Sequence, residues 1–256
     1  MKPRILAVIP ARFASTRFSG KVLTPIANHP MLEWVFRRVS KAKTITSVCI
    51  ATDNKRVQAA VRSFGGEVHL TSRRHRSGTD RIAEVARQVT HPVIVNIQGD
   101  EPLIEPTAID ELVKGFLRSN KQFQVGTLKS PIRREAELRD PNVVKVVTGP
   151  GGEALYFSRS PIPYVRGLEL HRLDFSRQDI FFKHLGIYIY TRNFLLEWPR
   201  LKSSKLEQLE ALEQLRVLEN GYKIWVLETS YSSPSVDTPQ DVSIVESEIE
   251  RRKIKF

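Results

Sequence analysis

The first half of the chain alternates short apolar runs with amphipathic helical patterns, and this alternation constrains the fold more than any other feature of the sequence. Residues 5–9, 47–51 and 92–97 have the length and character of buried strands. Residues 30–41 and 79–89 instead carry apolar side chains on one face of a helix. Strands that alternate with helices in this way predict an α/β fold, in which a mostly parallel central sheet has helices on both faces.

The second half of the chain follows a less regular pattern. Residues 154–158 and 184–190 are strand-like, whereas residues 206–218 carry leucines at every third position and predict one helix that ends before Gly221. Because no linker-like stretch interrupts the sequence, we expect a single domain of residues 1–256 with an inserted lobe at roughly 130–190.

The charge balance indicates anionic partners. Forty lysines and arginines against 28 aspartates and glutamates give a formal net charge of +12. The positive residues are scattered, apart from a dense run at 73–76, and aromatic residues do not alternate with them as they do in single-strand-binding surfaces. Most of these positive residues are therefore better explained as a solvated basic surface, with small anionic substrates as the functional alternative, and we expect no nucleic-acid partner.

Three further observations bear on the compartment. No run approaches the roughly 18 consecutive apolar residues that a membrane span needs. No export signal is recognisable at the start of the sequence, and the single cysteine, Cys49, cannot form an internal disulfide. We therefore expect a cytoplasmic protein without membrane insertion.

The loop after the first strand, residues 10–21, has the character of a phosphate-binding loop. It combines small residues with Arg12, Arg17 and Lys21, at the carboxyl edge of the predicted sheet, where ligands of open α/β folds bind. The loop matches neither the P-loop nor the dinucleotide fingerprint. From these residues alone, a triphosphate site and an ordinary basic surface loop are about equally favoured.

Two aspartates are candidate magnesium ligands. Asp100 lies in the segment 98–102, directly after the apolar strand at 92–97. Gly-Asp is common in turns, but the end of a central parallel strand favours a carboxylate delivered to the carboxyl edge of the sheet. Asp237 precedes the last predicted helix, residues 239–253, and on these residues alone it is better explained as a helix cap.

Other polar residues allow both functional and structural interpretations. The run from Thr71 to Arg81 includes Ser77 and Gly78 at a predicted helix start, which suits a base or a phosphate but also an ordinary cap. Arg159 is suited to a substrate carboxylate. His184 is suited to a sugar hydroxyl, although a lone histidine in a strand is more often structural.

Several sequence blocks together resemble the 3-deoxy-manno-octulosonate cytidylyltransferase family over nearly the whole chain. The matching blocks lie at residues 9–21, 51–53, 75–81, 95–102, 154–159, 184–188, 212–216 and 236–239. One departure is Ser19, at a position where the family usually has proline, and a loop without that proline is less rigid.

The resemblance implies a Rossmann-like nucleotidyltransferase fold, an inserted sugar-binding and dimerisation lobe, and a homodimer. It implies that CTP and Kdo react to CMP-Kdo and pyrophosphate, which activates Kdo for lipopolysaccharide biosynthesis. It also implies Mg²⁺ as cofactor, held by Asp100 and Asp237. CMP-sialic acid synthetase is the nearest alternative, but that family's opening loop is closer to Arg-x-x-Ser-Lys-Arg.

The resemblance further assigns roles to individual residues. The residues implied in catalysis are Arg12, Lys21, Asp100 and Asp237. The residues implied in nucleotide binding are Ala11, Arg12, Arg17, Lys21, Thr71, Ser77, Gly78 and Gln98. The residues implied in sugar binding are Arg159, His184, Tyr188, Glu213 and Gln214.

Overall fold

The structure is a computed structural model that describes residues 3–13, 18, 20–119, 122–167, 169–170, 173–175, 179–231, 234–254 and 256. The strands are β1 (Ile5–Ala11), β2 (Pro25–Ile26), β3 (His29–Pro30), β4 (Ser47–Thr52), β5 (Glu67–Leu70), β6 (Val93–Asn96), β7 (Val125–Pro131), β8 (Lys145–Thr148), β9 (Ala154–Ser158), β10 (Phe182–Thr191) and β11 (Ile224–Glu228). The α-helices are α1 (Met31–Ser40), α2 (Lys55–Ser63), α3 (Gly78–Gln88), α4 (Pro106–Arg118), α5 (Glu135–Arg139), α6 (Arg192–Glu197), α7 (Lys205–Glu210), α8 (Glu213–Glu219) and α9 (Pro239–Arg252).

The chain divides into two compact units. The first consists of Met1–Lys114, Ile189–Pro199 and Ser232–Phe256, and the second of Gly115–Tyr188 and Arg200–Tyr231. The second unit contains the lobe predicted at roughly 130–190 up to Tyr188, begins earlier, at Gly115, and also includes Arg200–Tyr231. The single domain over 1–256 stays a prediction.

The first unit contains a parallel sheet in the order β6-β1-β4-β5. Every residue of β1 is buried, and Val8 pairs with Cys49 on one side and with Asn96 on the other. Because parallel strands end at the same edge, Ala11, Thr52 and the loop after β6 meet at the carboxyl edge of this sheet. The predicted α/β class with mostly parallel strands is confirmed.

Helix α3 illustrates how the sequence fixes local structure in the first unit. Ser77 accepts a hydrogen bond from the backbone N–H of Asp80, which completes a capping box at the helix start. Ile82 and Val85 are fully buried on the inner face. Burial of each such side chain stabilises the fold by about 1.5–3 kcal/mol.

The second unit combines parallel and antiparallel pairs. β11 pairs with β7 in parallel, whereas β8 pairs with β9 and β10 in antiparallel orientation. A separate apolar cluster is formed by Ile132, Leu138, Phe175 and Phe181. The sequence patterns do not predict β7, β8 or α5, because these elements lack a continuous apolar run.

The single helix predicted over 206–218 is wrong, because the structure has two short helices there. The break lies at Ala211, which has a left-handed backbone with φ of 51°. The break turns Leu209 to solvent, with 71% of its surface exposed, while Leu212 and Leu215 remain buried. Glu210, directly before the break, accepts a hydrogen bond from the Ser158 hydroxyl at 2.7 Å, so tertiary contacts here override the leucine periodicity.

No helix among the described residues is both long enough and apolar enough to cross a lipid bilayer.

Candidate active site

Lys21, Asp100 and Asp237 converge in the first unit. The Lys21 ammonium lies 2.7 Å from Asp100 Oδ2 and 3.2 Å from Asp237 Oδ1. The side chain of Lys21 is 12% exposed, against 29% for Asp100 and 45% for Asp237. Two aspartates that are far apart in the sequence therefore both contact the ammonium of Lys21, which is largely buried.

Backbone contacts fix the segments that carry these three side chains. The Val236 N–H donates to the carbonyl of Asp100 at 3.0 Å, which joins the loop after β6 to the segment before α9. Gly99 lies so close to β1 that an added Cβ would be 3.1 Å from the Pro10 carbonyl oxygen, tighter than an ordinary contact. Gly20 has a left-handed φ of 72°, which glycine adopts without strain and which starts the turn of Lys21.

The helix cap in front of α9 is provided by Thr238 and Asp241 rather than by Asp237. Asp241 Oδ2 accepts from the backbone N–H groups of Asp237 at 2.8 Å and of Thr238 at 2.7 Å. These hydrogen bonds hold the pKa of Asp241 below its usual value, against the opposing effect of its burial. The Asp237 carboxylate instead lies against Lys21, so the interpretation of Asp237 as a cap is wrong.

The electrostatics of the cluster favour a charged lysine. Burial alone would lower the pKa of Lys21, but the carboxylates of Asp100 and Asp237 outweigh it and raise the pKa above its ordinary value. The ammonium thus stays protonated at neutral pH and stabilises two neighbouring carboxylates that would otherwise repel each other.

The donor set of the cluster fits a hard divalent cation. Asp100 and Asp237 offer carboxylate oxygens, and both are within contact distance of one positive charge. Within the described ranges no group of three or more His, Cys, Asp or Glu side chains is arranged to hold a metal ion. A magnesium ion held here would take its remaining ligands from phosphates and water, which is its usual manner of binding.

Several predicted nucleotide residues gather at the same edge of the sheet. Ala11 is the buried last residue of β1, and Arg12 follows it directly. A Cβ added to Gly78 would lie 3.6 Å from the Pro10 side chain and 4.0 Å from the Gln98 amide oxygen. These are ordinary van der Waals distances, so Gly78 packs beside Pro10 and Gln98 at this edge of the sheet. Arg17 and Ser19 lie outside the described residues.

Thr71 and Ser77 use their hydroxyl groups within the protein. The Thr71 hydroxyl donates to the carbonyl of Thr52 at 3.1 Å and accepts from the Arg81 guanidinium. The Ser77 hydroxyl caps α3, as described above. Both side chains stabilise the backbone around the predicted nucleotide site, and their direct contact with a nucleotide stays a prediction.

The structure also shows contacts near the predicted nucleotide site by residues for which the sequence predicted no role. Arg81 is fully buried and donates to Asp53 Oδ2 at 2.8 Å, which joins β4 to α3. Trp198 donates from its indole nitrogen to Asp80 Oδ1 at 2.8 Å. Asp53, Asp80 and Arg81 lie in sequence blocks that resemble the family, whereas no sequence signal pointed to Trp198.

In the second unit, Arg159 is held mainly by backbone carbonyls. Its Nε donates to Glu210 at 2.6 Å, and its two terminal nitrogens donate to Pro141 at 2.8 Å and to Ala211 at 3.4 Å. Among the described residues these bonds use three of the five guanidinium N–H groups. Recognition of a sugar carboxylate by Arg159 stays a prediction that depends on the other two.

His184 is a neutral side chain in the second unit. Removal from water lowers its pKa to about 3, and its ring packs edge-on against Phe157. The hydroxyl of Thr127 lies 2.7 Å from the Ile187 carbonyl, 3.1 Å from the Leu185 carbonyl and 3.0 Å from His184 Nε2. With either carbonyl accepting the hydroxyl proton, Nε2 donates to Thr127 and Nδ1 is left as an acceptor.

The other predicted sugar-binding residues, Tyr188, Glu213 and Gln214, also belong to the second unit. Tyr188 is half-buried, and its ring centroid lies 5.2 Å from that of His184. Glu213 is in the first turn of α8, and Gln214, next to it, is buried. The break at Ala211 sets the direction of this helix.

Comparisons with known proteins agree with these observations. A family model described as Cytidylyltransferase matches residues 6–224. The 3-deoxy-manno-octulosonate cytidylyltransferase of Geotalea uraniireducens is 51% identical over 94% of this chain and 97% of its own length. The enzyme of the same name from Solibacter usitatus is 52% identical over 96% and 94%.

Among solved structures, a CMP:2-keto-3-deoxy-manno-octonic acid synthetase complexed with CTP matches with a TM-score of 0.89. It is 38% identical in sequence, and the match covers 97% of this chain and 99% of that one.

Proposed function

Because the chain belongs to the 3-deoxy-manno-octulosonate cytidylyltransferase family, we propose that it transfers CMP from CTP to the anomeric hydroxyl of Kdo. The products are CMP-Kdo and pyrophosphate, and the reaction activates Kdo for lipopolysaccharide biosynthesis. The fold is that of a nucleotidyltransferase, in keeping with the synthetase structure complexed with CTP.

The observation that carries the proposal is the convergence of Lys21, Asp100 and Asp237. Transfer of a nucleotidyl group requires little covalent help from the protein and depends on positioning and charge neutralisation. A lysine that stays charged between two carboxylates, at the edge of a parallel sheet, supplies the elements of such a site.

We infer that Asp100 and Asp237 hold the magnesium ion on which the reaction depends. The support is their hard oxygen donors and their shared position around one positive charge. When bound, Mg²⁺ would supply charge neutralisation at the α-phosphate and lower the pKa of the attacking hydroxyl.

The chain's own cations bind and orient the triphosphate. Lys21 and Arg12 offset its negative charge, and Arg17 is proposed to share this role. Gly78 packs beside Gln98. We propose that both lie against the nucleotide and that Gln98 contacts cytosine or ribose. This binding leaves the α-phosphorus open to in-line attack.

Residues of the second unit are proposed to bind Kdo. His184 would accept a hydrogen bond from a sugar hydroxyl at Nδ1, because its Nε2 is paired with the Thr127 hydroxyl 3.0 Å away. Arg159 would bind the Kdo carboxylate with the two guanidinium N–H groups that do not donate to the backbone carbonyls described above. Tyr188, Glu213 and Gln214 would complete the sugar contacts.

We further propose a cytoplasmic homodimer. The buried, single Cys49 supports a reducing compartment. The dimer follows from the family resemblance, and exposed apolar side chains such as Leu155 and Leu209 in the second unit support it. Light scattering of the purified protein would measure the oligomeric state directly.

The proposed activity is tested by pyrophosphate release from ATP, CTP, GTP and UTP, each with and without Kdo and Mg²⁺. We expect release only when CTP, Kdo and Mg²⁺ are all present. Sialic acid in place of Kdo serves as the acceptor control. Equal or faster turnover with sialic acid would overturn the assignment of the acceptor, and release without any sugar would overturn the transfer reaction.

A further inference from the structure

Asp80 joins the backbone of residues 76–77, directly before α3, to Trp198, which is 118 positions away in the sequence. Its Oδ2 accepts from the backbone N–H groups of Ser77 at 3.2 Å and of Arg76 at 3.3 Å. Its Oδ1 accepts from the Trp198 indole N–H at 2.8 Å. A helix cap needs only the Oδ2 contacts, so the bond to Trp198 is an addition to the cap.

Trp198 is a rigid donor for this bond. Its side chain is 1% exposed, and its ring packs near that of Phe194 in α6. A second bond joins α3 to the start of α6, because Arg192 Nε donates to the Ala86 carbonyl at 2.8 Å, whereas Trp198 directly follows α6. Ala86 lies two turns along α3 from Gly78, so only the bond to Asp80 reaches the start of the helix.

The Trp198 bond fixes the plane of the Asp80 carboxylate. With one oxygen bound to a buried indole, the other is directed at the backbone of residues 76–77. That backbone leads into Gly78, where the nucleotide is proposed to approach Pro10 and Gln98. A shift of the 76–78 backbone would change the distance between the nucleotide and the N–H groups at the start of α3. The binding energy is sensitive to this distance.

We propose that Asp80 and Trp198 are positioning residues that hold the 76–78 backbone in the conformation that receives CTP. The inference rests on the proposed function, since it assigns the loop to CTP. Asp80 and Trp198 are proposed to affect the binding of the nucleotide. Contact with the reacting atoms is assigned to Lys21, Asp100 and Asp237.

The test compares Trp198→Phe with a matched control, Arg192→Met. Both variants remove one hydrogen bond between α3 and the segment around α6, and both keep most of the apolar contact. For Trp198→Phe we expect the KM for CTP to rise about fivefold, the net effect of one typical hydrogen bond. The KM for Kdo and kcat should change less than twofold. Arg192→Met should lose thermal stability but keep the KM for CTP.

Asp80→Asn provides the same test without changing the buried ring. Its single amide oxygen cannot serve both Trp198 and the loop, so the KM for CTP should rise at least as much. In the double variant with Trp198→Phe the two effects should not add, because both act through one bond.

Calorimetric titration with CTP separates this inference from the proposed function. If the unmodified protein does not bind CTP, the proposed function fails. If it binds CTP and Trp198→Phe binds equally well, the positioning role alone is overturned. The same conclusion follows if Trp198→Phe and Arg192→Met raise the KM for CTP alike.

Discussion

At the scale of single residues, the site depends on the charge balance of three side chains. One ammonium and two carboxylates leave one net negative charge in a partly buried position, which would favour the divalent cation proposed here. The lysine cannot be replaced by a neutral residue without leaving the two carboxylates to repel each other.

Asp100→Asn should reduce turnover at least 100-fold while the fold is kept. The amide has the shape of the carboxylate but not its charge, and loss of a metal carboxylate removes several kcal/mol of transition-state stabilisation, at about 1.4 kcal/mol per tenfold in rate. Steady-state pyrophosphate release measures the effect, and Glu250→Gln, an exposed change on α9, is the control. Turnover within tenfold of the unmodified protein would refute the role of Asp100 as a metal ligand.

His184 should make the protein sensitive to mild acid. Its pKa is lowered from 6.5 to about 3 in the folded state, so the unfolded chain binds the proton more readily. The stability is therefore complete above pH 6.5 and falls as the pH is lowered from 6.5 towards 3. Between pH 7 and pH 5 this amounts to about 2 kcal/mol.

Urea unfolding at the two pH values measures this contribution. The unmodified protein should lose about 2 kcal/mol more stability than His184→Gln, whose side chain does not titrate. An equal loss in both proteins would show that protonation of His184 is not linked to unfolding.

At the scale of elements, the break between α7 and α8 is a point of backbone strain. Ala211 has a left-handed conformation that costs a residue with a Cβ about 1–2 kcal/mol, and more for a β-branched one. Ala211→Val should thus destabilise the protein by more than about 1 kcal/mol. Ala211→Gly should change the stability by less than about 1 kcal/mol, because relief of strain and added chain entropy oppose each other.

Ala59→Val, at an exposed position in α2, is the matched control for this change. It adds the same side chain to a residue with ordinary helical backbone and should cost only about 0.5 kcal/mol. Denaturant titration compares the variants. Equal costs at positions 59 and 211 would contradict the strain at the break.

The elements of the first unit could largely be predicted from the sequence. β1, β4 and β6 are apolar runs between polar residues, and only their ends differ by one or two residues from the predicted limits. β7 and β8 could not be predicted, since Lys129 interrupts the apolar pattern of β7 and β8 contains only two apolar residues, Val146 and Val147. The break at Ala211 could not be predicted either, because it depends on contacts with distant residues such as Ser158.

The candidate site was predicted in part. The position of Asp100 follows from the end of an apolar strand, and the role of Asp237 required the family resemblance. Neither predicts that Lys21 bridges the two, because Lys21 and Asp237 are 216 positions apart. The carbonyl partners of Arg159 depend on tertiary structure that residue types cannot reveal.

At the scale of the whole molecule, substrate binding should be visible as thermal stabilisation. CTP with Mg²⁺ at about 100 times the dissociation constant should add about 2.7 kcal/mol, and this raises Tm by about 5–10 °C for a chain of this size. Differential scanning fluorimetry measures the shift. CTP with EDTA should give a smaller shift, and Asp237→Asn should respond equally with Mg²⁺ and with EDTA. An equal response of the unmodified protein to both would refute the metal site.

The backbone bond between Val236 and Asp100 has a consequence for when activity arises during synthesis. A ribosome releases the strand before Asp100 long before it releases the segment that carries Asp237, since more than half of the chain lies between them. A nascent chain that has folded its first parallel strands contains Lys21 and Asp100, but Asp237 has not yet been synthesised. With the roles proposed for Asp100 and Asp237, we expect competence for transfer to appear in one late event, when the last segment docks, and unfinished chains to consume no CTP.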